Sequence, residues 1–172
     1  MGVLLALLVD RHRQSQKEIK SEKEREKQFN RARHTVLGSV VKNTNEATRF
    51  RGLIDQRKPT ELIHTELELS VWGAAQVQFM EACHDIDERV RFAQFFDAVR
   101  NLQSFFDFHR DLQLSIAGAI VVEDPELAEI LKDADQRLRN LSDELKLAGV
   151  LMITDFGEAV HKQLLGLKNY GA

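Results

Sequence analysis

Residues 125–152, PELAEILKDADQRLRNLSDELKLAGVLM, decide the fold. Leu127, Leu131, Ala134, Leu138, Leu141, Leu145, Ala148 and Met152 recur at alternating spacings of four and three. On a helix this keeps one apolar seam on one face, as in a helix packed along its whole length against others. Asp124 stands ready as a cap, and Pro125 suits the first turn, where a missing N–H costs nothing. The seam continues less strictly through Phe156, Val160 and Leu164. Gly149 and Gly157 leave open whether 125–168 is one helix or two.

Upstream, Phe92, Phe95/Phe96, Val99, Leu102, Phe106, His109, Gln113 and Ile116 form a second stripe at helical spacing. Six of the ten phenylalanines fall between 92 and 108, which places the centre of a core there. Asp85 to Glu88 give that helix an acidic start, favourable beside its N-terminal dipole. His109 lies on the Phe-rich stripe and reads as a hydrogen-bonded core histidine, since a buried imidazole needs a partner. An apolar run, Ile116 to Val122, leads into the seam helix.

Before it, Thr60 is a plausible cap for a shorter helix from Glu61 to about Ala82. Its faces are blurred: Ile63, Leu67, Val71 and Ala74 oppose Trp72, Ala75, Phe79 and Cys83. Gly73 marks either a break or a helix covered on two sides. The first third of the chain, Gly2 to Arg57, contains no proline and reads as one long helix or two nearly continuous ones. Phe29, Ala32, Val36, Val40, Asn43/Thr44, Ala47, Phe50 and Ile54 define its packing face, widened by Leu37 and Val41. Arg57-Lys58-Pro59 ends it, because the residue before proline is pushed out of helical geometry.

Composition agrees with long helices. The 172 residues include two prolines, Pro59 and Pro125, nine glycines, and 43% hydrophobic residues, enough for a real core. The net charge of −3 gives no case for nucleic acid as a partner. One cysteine, Cys83, excludes an internal disulfide and any Cys-based zinc site. A reduced, cytosol-facing setting fits that usage best.

Charge is uneven along the chain. Residues 11–27 carry seven Lys/Arg against four Glu, and from Asp10 to Gln28 only Ile19 is strongly apolar. Such a helix has no face to bury, so it reads as a solvated stalk held by pairs such as Glu22–Arg25 and Glu24–Lys27. Before it comes an apolar octet, Gly2 to Val9. That is too short to span a bilayer, which takes about 20 helical residues. It lacks the charged start and cleavage site of a secretory signal, and Ala6 stands where myristoylation wants Ser or Thr. It reads as the last half of a membrane helix beginning upstream of Met1, or as a plug in the bilayer interface. Packing of Leu4 to Val9 on the bundle or on a second copy is the remaining option. Arg11, Arg13, Lys17 and Lys20 follow at once, and the positive-inside rule then puts everything downstream in the cytoplasm.

Several strings carry possible chemistry. Three Glu-x-x-His pairs occur, Glu61/His64, Glu81/His84 and Glu158/His161, with the spacing used by di-iron bundles. Two of them share one short segment, the third points away from the seam, and the stripes at 29–54 and 92–116 contain no carboxylate, so no metal or other cofactor is expected. His109-Arg110-Asp111-Leu112 and Asp155-Phe156-Gly157 look like kinase strings. No glycine-rich loop accompanies them, and Ile116 stands where the catalytic-loop Asn belongs. His34-Thr35-Val36-Leu37-Gly38-Ser39 resembles the histidine phosphotransfer domains of two-component relays, in which a bundle histidine precedes a lysine and then a glycine. Here Leu37 takes the lysine's position, and the resemblance covers six residues. It implies phosphotransfer through His34.

The order of parts also carries a broader resemblance: apolar octet, Lys/Arg/Glu stalk, amphipathic helix Val36 to Phe50, a helix with HTELELSVW, and a Phe-rich third helix. It resembles short uncharacterised prokaryotic proteins with one N-terminal membrane helix and a cytoplasmic helical domain. That resemblance implies no activity. The expected architecture is all-α, an up-down antiparallel helical bundle whose long N-terminal helix extends as a charged stalk. Residues 1–9 are expected to be a partial membrane anchor, 10–28 the stalk, 29–168 the bundle and 169–172 a tail. The expected function is a non-enzymatic, membrane-tethered scaffold on the cytoplasmic face of the cell membrane. Its partners would be an anionic lipid surface and either a protein or a second copy.

Overall fold

The structure, a computed structural model, describes residues 2–56, 67–118 and 125–169, with side chains at 11–56, 67–115 and 126–158. Those residues form four helices and no strand: α1 (Gly2–Asp55), α2 (Ser70–Ala82), α3 (Ile86–Gly118) and α4 (Pro125–Asn169). The chain is an all-α bundle with a long N-terminal helix, as the periodicities require. At the usual rise α1 alone is about 80 Å long. The α4 seam runs through both glycines without a break, so 125–168 is one helix. Thr60, Asp124 and the Glu61/His64 pair lie outside the described residues.

Side-chain contacts fix the topology. Arg51 reaches Asp143, and Arg33 lies over the ring of Phe156, so α1 and α4 are antiparallel. Arg91 pairs with Asp155 and His109 with Asp135, which makes α3 and α4 antiparallel too. Phe50 meets Phe106, and Arg33 meets Glu88, so α1 and α3 run parallel. The core is aromatic where the phenylalanines cluster. Trp72 stacks on Phe96 with centroids 4.7 Å apart, and Phe79 meets Phe92 edge-on at 4.8 Å. Such pairs are each worth about 0.5–1.5 kcal/mol beyond the area they bury.

The face of α2 that the sequence left ambiguous is settled by this cluster. Trp72 and Phe79 are buried, while Ala74 and Val77 are exposed. Gly73 lies inside an unbroken helix. The expected start of α2 at Glu61 is corrected, because residues 67–69 are not helical. The reason is a side chain on α1. Glu68 N–H donates to Asn43 Oδ1 (2.6 Å), and Asn43 Nδ2 donates back to the Glu68 carbonyl (3.0 Å). Ser39 Oγ donates to the same carbonyl at 3.3 Å. A fully buried amide therefore satisfies backbone groups of this non-helical segment that no helix pairs. Downstream, Asp85 Oδ1 accepts from the N–H groups of Asp87 and Glu88 and caps α3.

The expected transmembrane segment and membrane localisation are corrected as well. Among the described residues no helix is long and apolar enough to cross a membrane. The octet at 2–9 belongs to the same uninterrupted helix as Asp10, Arg11, Arg13, Lys17 and Glu18. Any stretch of about 20 residues there carries charges that hydrocarbon does not solvate. The described residues therefore do not support the expected spanning segment or the membrane localisation drawn from it.

Candidate functional site

Two apolar stripes each contain one charged residue at their stalk-side end. On α1, Arg33 falls between Phe29 and Val36; on α3, Glu88 lies one turn before Phe92. Because α1 and α3 are parallel, the two meet. Arg33 Nε stands 2.6 Å from Glu88 Oε1, and Arg33 NH2 donates to Oε2 at 2.9 Å. Arg33 is 7% exposed and Glu88 5%. This fork-to-carboxylate geometry is what a buried guanidinium needs to offset the loss of water. Phe156 supplies a cation–π face 5.7 Å from the same guanidinium. Burial, aided by Asp85, raises Glu88 above its usual range by more than Arg33 lowers it.

Above this pair, where the stalk leaves the bundle, opens a groove of 980 Å³. One wall is the stalk, with Glu22, Glu26 and Phe29; the other is the turn from α2 to α3, with Glu81, Cys83 and Asp85. Phe29 rests on Phe79 at 5.7 Å and is the first stalk residue to join the core. Asn30 lines the groove with its Oδ1 shut off from solvent and without a hydrogen-bond partner. The lining has an apolar floor and a predominantly acidic rim. Cys83 Sγ donates to the Asp85 carbonyl at 3.3 Å, and burial together with Glu88 pushes its thiol up. A thiol held protonated in this way is a poor nucleophile.

The residues singled out from the sequence do not converge on this groove. Arg11, Arg13, Lys17 and Lys20 are all exposed on the stalk, as is every residue from 11 to 28. His34 is exposed just beyond the groove, and Gly38, one turn on, has nothing within 4 Å of where a Cβ would sit. Leu37 points into the core, so the position of the phosphate-steadying lysine is a packing position. Glu81 and His84 are exposed, and no group of three or more metal-ligating side chains occurs among the described residues. His109 is fully buried, with Nε2 2.8 Å from Asp135 Oδ1, as its place on the Phe stripe implies.

Arg33, Glu88 and Asn43 are the residues whose roles the sequence reading missed. Each interrupts or lies within an apolar stripe, and for the two charged residues that interruption was the available signal. No protein-family model, curated protein or solved structure matches this chain. The functional reading therefore rests on the bundle, the stalk and the groove between them.

Proposed function

We propose that this protein is a non-enzymatic helical interaction module that engages another protein through its stalk and the groove at the stalk's base. One observation carries the reading: residues 11–28 are helical and exposed on every side. A polar helix without tertiary contacts gains little from propensity alone and is only marginally stable in water. A protein surface laid along it supplies the missing support. The buried Arg33–Glu88 pair and the Phe29–Phe79 contact hold the stalk's base firmly to the bundle, so a partner bound there has a defined orientation.

Photo-crosslinking residues placed at Ser15 and Ser21 in cells test this, with Gln94 and Ser104 on the exposed bundle surface as controls. Discrete adducts from the stalk positions, absent from the controls, are the expected result. Stalk positions that yield no adduct would refute the interaction reading.

A second reading is phosphotransfer through His34, favoured by that side chain's exposure and by the open space at Gly38. The phosphoryl group would pass from a receiver's aspartyl phosphate to the His34 imidazole, freeing the carboxylate. Acid-labile label on the wild type and none on His34→Ala would support it; equal labelling of both would dismiss it.

A further inference from the structure

The groove at the stalk's base is apolar below and acidic above, and the chain contains one segment of the opposite character. Residues 2–9 are wholly apolar, and Arg11 and Arg13 follow them almost at once. That segment cannot reach the groove of its own chain. Residues 2–13 and the groove wall at Glu22, Glu26 and Phe29 belong to the same unbroken helix. Their midpoints are about 18 residues apart, or roughly 27 Å along a straight rod.

We infer that the groove receives the N-terminal segment of a second copy of this chain, the two stalks lying antiparallel in a symmetric dimer. Residues 2–9 of each copy cover the Phe29 and Cys83 floor of the other, and Arg11 faces the acidic rim formed by Glu22, Glu26, Glu81 and Asp85. This deepens the interaction reading and rests on it by naming the partner.

Two features independent of the groove agree. Matching residues 2–13 of one stalk to 22–29 of the other places the two-fold axis between residues 16 and 17. Ile19, the only strongly apolar residue between Asp10 and Gln28, lies within three residues of that axis and is 42% exposed in the single chain. Charge also selects the orientation. The stalk's first half carries Arg11, Arg13, Lys17 and Lys20 against Glu18, whereas in the second half Glu22, Glu24 and Glu26 are balanced by Lys23, Arg25 and Lys27. An antiparallel pair sets the basic half against the balanced one, whereas a parallel pair sets basic against basic.

Sedimentation of the full chain tests the association. The wild type is expected to dimerise, and Glu22→Lys/Glu26→Lys or Arg11→Glu/Arg13→Glu each to weaken association about tenfold or more. An equimolar mixture of the two reversed variants should recover wild-type affinity, because each then offers what the other's groove lacks. Far-ultraviolet circular dichroism checks that the variants fold. Orientation is read with single cysteines in a Cys83→Ala background: Ser15→Cys, within two residues of the axis, should form an intermolecular disulfide readily and His12→Cys poorly. A wild type that stays monomeric, reversals without effect, or His12→Cys crosslinking as well as Ser15→Cys would overturn the inference. Stalk photo-adducts at masses other than twice the chain would overturn it too, while leaving the interaction reading standing.

Discussion

Replacing Gly149 with alanine should destabilise the protein, although Gly→Ala within a helix is ordinarily favourable by about 1 kcal/mol. At Gly149, α4 lies close against Thr44 of α1. A Cβ there would stand 1.8 Å from Thr44 Oγ1, 2.9 Å from Thr44 Cβ and 3.0 Å from its Cγ2. Ordinary contact between such atoms is about 3.5 Å, so the helices must separate by well over an ångström or Thr44 must move. Rotating the threonine does not help, because its Cβ is itself too near and its hydroxyl donates to the Val40 carbonyl at 2.7 Å. Overpacking of this severity lies at the upper end of about 1–3 kcal/mol. Subtracting the propensity gain leaves a net loss of about 2 kcal/mol, or roughly 4–8 °C in Tm for a chain of this size. Urea unfolding followed through Trp72, the only tryptophan and a buried one, measures it directly. Introducing Gly149→Ala into a Thr44→Ala background should cost at least about 1 kcal/mol less, since two of the three clashing atoms are gone. An alanine variant as stable as the wild type, or an identical cost in both backgrounds, would refute the close approach.

Arg33→Met or Glu88→Leu alone should each cost about 3–5 kcal/mol by breaking a buried ion pair, whereas the double variant should recover most of the loss in a urea-denaturation cycle. Strictly additive costs would argue against the pair. Because burial raises Glu88 in the folded state, the folded chain binds that proton more tightly than the unfolded chain. Its contribution to stability is therefore greatest below the ordinary value of 4.5 and falls as pH rises through the raised folded value. Unfolding midpoints measured from pH 4.5 upward should lose this component of the slope in Glu88→Gln. Asn43→Ala removes both hydrogen bonds to the Glu68 backbone and should cost about 1–3 kcal/mol. Exchange of the Glu68 amide hydrogen should accelerate with it; unchanged exchange would mean that the bracket does not hold residues 67–69.

Much of the bundle was legible because helical periodicity is a local property of the chain. The stripe from Phe92 to His109 and the seam from Ala134 to Met152 are both packed inward, and Asp85 caps α3 from the position its acidic neighbourhood suggests. The membrane expectation failed for a local reason as well. Eight apolar residues were weighed by their hydropathy, while the charges that continue the same helix were treated as flanks. The candidate site was much less legible. The groove joins stalk residues 22–32 to residues 78–88, and no spacing within either segment announces the other.

The sequence by itself determined the helical class, the residues each long helix turns inward and the exposed, charged character of residues 11–28. Each of these follows from the 3.6-residue repeat and the cost of burying charge. Tertiary structure alone decided which partner each interruption of a stripe would find. Arg33 and Glu88 are tolerable inside the core only because parallel α1 and α3 bring them to the same level. Asn43 is tolerable only because Glu68 arrives with an unpaired peptide group, and Gly149 matters only because Thr44 lies against it. Polar and steric complementarity of this kind is a property of pairs, and the pairs do not exist until the helices have packed.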